Sequence, residues 1–471
     1  MMCTYILILN LSENMKIISV QVSLIILLFL VFASNTINAQ DQLDKYIAEG
    51  ISNNIVLQQK KISLEKAMYS LKIATSYFFP AIKLEADYTS GEGGRNIPIP
   101  IGDLLNPVYS TLNQLTQSSR FPQLGNETIN FFPFHYYDVK LRTTMPILNT
   151  DLIINRNIQS DEIHLQKFEV DIYKRELIKD IKTAYYNYLS AIAAEKIFSN
   201  SLKVAEEGKR VNESLLKNGT GLPVYILRSE SEIAGINSRI VEADNQAQTA
   251  KRYFNFILNR DLNDSVNIFY DVKLKISEID SLVSGNYNLS GREELKALET
   301  GRNMNESALL MNKLFWIPKI TAFLDLGSQA QIWNFNKDSR YYLFGLQLSV
   351  PIFEAFRNNY KIDEAELNVK NVQLNLDLAK KQIQLSQSIA YGDLIAARQN
   401  YYTAIKKYNS ASSYERLIEK GYKEGANTFI ETVDARSQLT QAALMLNINT
   451  SKVLSALADY EREIAANEIK Y

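Results

Sequence analysis

Little in this chain could make or break a bond. One cysteine (Cys3) and two isolated histidines (His135 and His164) exclude a disulfide framework and any metal site built from several thiolates or imidazoles. The sequence carries no nucleotide-binding or nucleophile-elbow motif, so an enzyme is not expected; a carboxylate-only hydrolase is the one form left open. No catalytic, cofactor-binding or metal-binding residue is assigned. The acids that stand out are Glu431 and Asp434, three residues apart and therefore on one face of a helix. Thr428-Phe-Ile-Glu431 also has the spacing of a capping box, in which Glu431 reaches back to the amide of residue 428. Both readings of Glu431 stand.

The helix holding these acids belongs to a frame that the chain writes twice. Tyr77-Phe-Phe-Pro-Ala-Ile-Lys83 reads like Phe315-Trp-Ile-Pro-Lys-Ile-Thr321. Met145-Pro-Ile-Leu148 recurs as Val350-Pro-Ile-Phe353, and Lys217-Asn-Gly-Thr220 as Lys423-Glu-Gly-Ala426, the last two pairs at nearly one offset. Two copies on this scale mark a duplicated half, not a solenoid of short units. From about 155 to 217 there is no proline and one glycine, Gly208, while Phe168, Ile172, Leu177, Ile181 and Ala184 fall at helical spacing. At ~1.5 Å per residue this helix runs on the order of 95 Å. The second copy spans about 355–420. Gly219 and Gly425 suit the left-handed residue after a helix end, and Pro223 suits the first position of the returning helix. The return helices are expected over about 222–259 and 428–466. Alanine, serine, asparagine and tyrosine recur along them, which fits close packing around a wet interior; a coiled-coil rod shows the same period.

The strands reject the rod. Ile82, Leu84, Ala86 and Tyr88 alternate with Lys83, Glu85 and Asp87. Ile320, Ala322, Leu324 and Leu326 repeat the pattern against Thr321, Phe323 and Asp325. Tyr137, Val139, Leu141 and Met145 oppose Asp138, Lys140, Arg142 and Thr144, and Tyr342, Phe344, Leu346, Leu348 and Val350 form the matching row. One apolar and one polar face in segments of about ten residues is the pattern of a membrane barrel with a polar lumen; a half-buried strand of a soluble sandwich alternates too, but these strands sit between very long helices. Four strands cannot close a barrel, and an open edge is not tolerated in lipid, so several chains must share one. Trp316, Trp333, Tyr136, Tyr137, Tyr341 and Tyr342 fall at strand ends, where interfacial aromatic girdles sit. Residues 91–133, rich in Gly, Pro, Asn and Ser, read as a long loop, and about 328–339 as its shorter counterpart.

The bulk numbers and the N-terminus agree with an exported protein, either soluble in the periplasm or outside the cell, or entering a membrane through strands. A formal charge of −1 over 471 residues offers nucleic acid nothing, and 46% hydrophobic residues can bury a core. Met15-Lys16, an apolar run over 22–32 and a small residue before Gln40 fit a signal peptide over 1–39 cut after Ala39, with 1–14 as an upstream extension. No cysteine lies at the cut, so a lipid anchor is not expected. The run is short of the roughly 20 apolar residues a spanning helix needs. The first structural repeat is expected over 40–289, with strands at about 81–90 and 135–146 and a helical hairpin at about 155–259. The second is expected over 290–471, with strands at about 318–332 and 340–350 and a hairpin at about 355–466.

The turn Tyr422-Lys-Glu-Gly425-Ala-Asn-Thr-Phe-Ile-Glu431-Thr-Val-Asp434-Ala435-Arg436, with the signal peptide and the duplicated strand and helix hairpins, resembles the TolC family of outer-membrane efflux proteins. The resemblance covers about 41–471. It implies a mostly α fold with a small membrane β-barrel part: a homotrimer with a twelve-stranded barrel in outer-membrane lipid and an α-helical tunnel in the periplasm. It also implies an exit duct of a tripartite efflux or type I secretion system, docked to a periplasmic adaptor (membrane fusion) protein and an inner-membrane transporter. In that family acids just inside the second return helix ring the inner opening, which places Glu431 and Asp434 at a gate, six carboxylates under threefold symmetry. The family's usual gate arginine is here Asn427, and the acid that would answer Tyr422 aligns with Tyr225. The resemblance then implies aromatic contact between Tyr422 and Tyr225 in place of the missing ties. Gly219, Leu222 and Gly425 are the expected adaptor contacts at the helical tips, the glycines having a conformational reading as well. The competing function is a periplasmic or surface coiled-coil scaffold without transport.

Overall fold

The computed structural model describes residues 41–131, 134–268, 270, 272–285 and 291–466. The expected signal peptide over 1–39, with Cys3 inside it, lies outside them. Two compact units divide the chain. The first takes the described residues up to Glu65, His164–Gly301 and those from Val372 onward; the second takes Lys66–Ile163 and Arg302–Asn371.

The second unit holds the strands: β1 (Ala81–Ser90), β4 (His135–Leu148), β5 (Lys319–Ala330) and β6 (Arg340–Ser349). They form one antiparallel sheet in the order β1-β4-β5-β6, so β1 and β6 are each paired on one side only. Its register puts Leu84, Leu141, Leu326 and Tyr342 in one row across all four strands, and Ile82, Thr143, Leu324 and Phe344 in the next. This face is open: Ile82 is 69% exposed, Leu84 70%, Tyr342 79% and Phe344 67%. Such contiguous apolar surface is not left to water. The opposite face carries the row Lys83, Arg142 and Asp325 and the row Glu85, Lys140, Gly327 and Tyr341. Several of its charges are paired. Arg142 Nε and Nη2 donate to the two carboxylate oxygens of Asp325 at 2.8 and 2.7 Å, and Lys140 Nζ donates to Asp138 at 2.6 Å.

The aromatic residues divide between the faces. Trp333 stacks on Tyr137 with centroids 4.8 Å apart and on Tyr88 at 6.0 Å, and the Tyr137 hydroxyl donates to the Asn334 carbonyl at 2.8 Å. Tyr136 and Tyr341 do not join an outer girdle. Their hydroxyls turn to the polar face and donate to Gln329 (2.5 Å) and Asp138 (2.7 Å), because period two sets them beside Asp138 and Lys140.

Residues 91–133 are not simply a loop. They contain a short ribbon, β2 (Asn96–Ile99) with β3 (Glu127–Asn130), and the helix α3 (Ile101–Leu115) between them. Asparagine side chains replace a ladder here. Asn106 donates to the Leu124 carbonyl at 3.0 Å and accepts from the Leu124 amide at 2.8 Å. Asn113 does the same to Phe121 at 2.8 and 3.1 Å.

The first unit is helical. The N-terminal helices α1 (Asp41–Asn53) and α2 (Ile55–Ser76) precede the sheet strands in sequence. The long α4 (Thr150–Lys217) returns through α5 (Pro223–Ile257), and α9 (Arg357–Lys423) through α10 (Phe429–Glu463). Short helices α6 (Val272–Ser277) and α7 (Ile279–Val283) and then α8 (Glu293–Lys313) fill the connection between the halves. The core joins Tyr46 of α1, Ile181 and Tyr185 of α4, Phe254 of α5, Leu394 of α9 and Leu457 of α10. Tyr46 meets Phe254 edge-on at 5.2 Å. Several charges admitted to this unit are paired. Lys182 donates to Glu461 at 2.6 Å, Arg292 to Glu463 at 2.9 Å, and Arg175 Nε to Glu293 at 2.8 Å. Buried pairs of this kind add little net stability but are costly to break singly.

Candidate gate at the helical tips

Both hairpins turn with the same backbone. Gly219 and Gly425 have φ of +76° and +77°, a conformation that side-chain-bearing residues adopt only under strain. After α4, the amides of Thr220 and Gly221 donate to the Leu215 carbonyl at 3.0 and 2.9 Å; after α9, those of Ala426 and Asn427 donate to the Gly421 carbonyl at 2.7 and 3.2 Å. A Cβ on Gly219 or Gly425 would meet nothing within 4 Å, so the turn requires glycine for its dihedral and not for space. The return helices start differently. Leu222, 53% exposed, precedes Pro223 at the head of α5 and has no side-chain cap. Thr428 caps α10.

Glu431 is engaged in that cap. The Thr428 amide donates to Glu431 Oε2 at 2.6 Å and the Glu431 amide to Thr428 Oγ1 at 3.4 Å, a complete capping box. Asn427 Nδ2 adds a third contact to Glu431 at 3.3 Å. The Thr428 amide first, then the Asn427 amide group and the Thr428 hydroxyl, hold the Glu431 carboxyl below the usual range. Asn427 therefore serves the cap. Asp434 is exposed, and among the described residues its carboxylate accepts only from Gln438 Nε2, at 2.7 Å.

Tyr422 and Tyr225 meet through a third ring. Phe429, 1% exposed, packs against Tyr225 with centroids 5.2 Å apart and against Tyr422 at 6.0 Å. The expected contact of one tyrosine on the other is replaced by this shared partner, since Phe429 opens α10 between the two turns. Tyr422 also has a polar tie. Its hydroxyl donates to Asn212 Oδ1 at 2.7 Å; Asn212 Nδ2 donates to Ser229 Oγ at 3.2 Å, and Ser229 Oγ donates to the Tyr225 carbonyl at 2.8 Å. Asn212 and Ser229 are buried. Burial, with Tyr225 nearby, raises the Tyr422 phenol above its ordinary pKa, so it donates throughout the physiological range. One chain of bonds thus runs from α9 through α4 to α5. Asn212, Ser229 and Phe429 were not singled out from sequence; Asn212 lies 210 residues from Tyr422 with no local motif to mark it.

The chain carries a half-apolar four-stranded sheet and two long, identically turned helical hairpins. Residues 289–460 match the model of the outer membrane efflux protein family. The whole fold is similar to that of the outer-membrane channel OprN, at 14% identity and a TM-score of 0.71 over 91% of this chain and 90% of that one. The CmeC outer membrane channel of Campylobacter jejuni matches at 14% identity and a TM-score of 0.69, over 90% and 85% of the two chains. The open state of the Neisseria gonorrhoeae MtrE outer membrane channel matches at 15% and 0.70, over 90% and 88%. No curated protein matches the chain by sequence.

Proposed function

We propose that this chain is the outer-membrane exit duct of an efflux or secretion assembly, with its sheet in outer-membrane lipid and its helical hairpins in the periplasm. The carrying observation is the sheet: an exposed apolar face, a charge-paired polar face and two unpaired edges. In lipid those edges need partners, and further copies supply them. Three copies would close twelve strands, β6 of one meeting β1 of the next. A coiled-coil scaffold gives no reason for Leu84, Leu141, Leu326 and Tyr342 to line up across four strands.

The hairpin turns form the inner aperture in this reading. Asp434 supplies its charge, because its carboxylate is exposed and free of the cap. Glu431 contributes to the helix start first and to the aperture only through its remaining field. The Tyr422–Asn212–Ser229 chain and the Phe429 ring contacts hold the tip closed where the arginine tie is replaced by Asn427. The tips around Gly219, Leu222 and Gly425 offer Leu222 as the side chain for a periplasmic adaptor, which in turn meets an inner-membrane transporter. Native mass spectrometry of the detergent-purified protein tests the assembly. Three chains are expected, and a monomer that needs no detergent would overturn the proposal.

A further inference from the structure

Beside Asp434, helices α4, α5 and α10 enclose a cavity of about 790 Å³. Its charged lining is Arg228, Glu232 and Arg239 from α5 with Asp434 and Arg436 from α10, so guanidiniums outnumber carboxylates. Arg239 is engaged by Glu242 at 3.1 Å. Arg228 is exposed and has no ion pair among the described residues. Arg436 is the informative member. Its Nε and Nη1 are buried without a hydrogen-bond acceptor, and Glu232 Oε2 is buried without a donor. Buried polar groups are almost always satisfied, and an exception asks for a partner. The guanidinium rests on Gly208 of α4, where a Cβ would come within 2.3 Å of Nη1 and push it off its seat. Ile236, Val433 and Leu444 supply apolar lining beside the charged groups, among hydroxyl and amide side chains such as Ser201, Thr440 and Gln441.

We propose that this cavity binds an amphipathic organic anion, its carboxylate on Arg436 and Arg228 and its hydrocarbon along Ile236, Val433 and Leu444. Unpaired guanidinium donors recognise a carboxylate by charge-assisted hydrogen bonds, which are the strong ones. Burial raises the proton affinity of the Glu232 carboxyl, against the opposing pull of Arg436 and Arg228, which lessens its repulsion of a bound anion. Arg239 and Asp434 are the other charged groups facing it. The occupant would sit against the first turns of α10, the helix that carries the aperture acid, and so couple cargo chemistry to the tip. The site goes beyond the duct reading and rests on it only in that the assembled protein is the species assayed.

Equilibrium dialysis of labelled hexanoate against the protein in lipid nanodiscs tests the site, with hexanol and acetate as uncharged and chainless controls. Saturable uptake of one hexanoate per chain is expected, weakened at least about tenfold by Arg436→Gln. Gly208→Ala, which moves the guanidinium without removing its charge, should weaken uptake as well. Native mass and a thermal melt establish that both variants are folded and assembled. No saturable uptake by the intact wild-type assembly, as for a merely hydrated cavity, would overturn the proposal, and so would uptake unchanged in Arg436→Gln. Acetate binding as well as hexanoate would overturn the amphipathic assignment. Loss of the oligomer in wild type would instead count against the duct.

Discussion

Tyr422, next to the end of its helix, bonds a neutral amide, and in the proposed duct that bond helps to hold the tip closed. A hydrogen bond between two uncharged side chains is worth about 0.5–1.5 kcal/mol net, less than a charged tie. Tyr422→Phe keeps the ring on Phe429 and removes only the bond to Asn212. The resting ion leak of the variant should rise several-fold in planar bilayers, with the thermal midpoint nearly unchanged. A leak equal to wild type would show that the ring contacts alone close the tip. Thr428→Ala probes the other local device. It should cost about 1 kcal/mol of helix stability through the lost cap, read as a lower urea midpoint of the helical unit. The capping box was legible because its partners lie three residues apart. Asn212 was not, because what marks it is burial against α5 and α9, which no window of sequence contains.

Among the elements, the strands announce themselves and the insert conceals itself. Ile82, Leu84, Ala86 and Tyr88 alternate with charges over one strand, and the same parity returns in β5, so the two faces could be read before any pairing was known. Tyr136 and Tyr341 lie near strand ends, yet parity, not proximity to the end, sets them on the polar face. The insert over 91–133 reads as loop by composition, yet its asparagines are the struts that fix α3 against the returning chain. The helix α1 is written in its sequence by Leu43, Tyr46, Ile47 and Ile51, which fall at helical spacing and are all buried. Two tests belong at this scale. Leu84→Arg on the open apolar face should cost about 2–4 kcal/mol of membrane insertion near the midplane, seen as material lost from the outer-membrane fraction; normal insertion would move that face out of lipid. Asn106→Ala should expose 91–133 to limited proteolysis while the oligomer persists, and an uncut segment would show that the ribbon alone holds it.

The whole molecule repeats one plan, and its helical unit is joined by charge as well as by apolar packing. Burial alone would raise the Glu293 carboxyl, but the Arg175 guanidinium outweighs it, and Glu294 is held down in the same way by Arg292. A carboxyl depressed in the folded state stabilises it above the ordinary value of about 4.3 and loses that contribution as pH falls through the depressed value. The thermal midpoint should therefore drop as pH falls below about 4. In Arg175→Met that drop should be shallower, from a lower starting midpoint; an identical pH profile would remove Glu293 from the account. The most direct measurement is single-channel conductance of the purified oligomer in a planar bilayer, wild type beside the double variant Glu431→Ala, Asp434→Ala. A small cation-selective conductance that loses its selectivity in the double variant is the expected result. No conductance from a folded, assembled protein, in wild type and Tyr422→Phe alike, would contradict the duct.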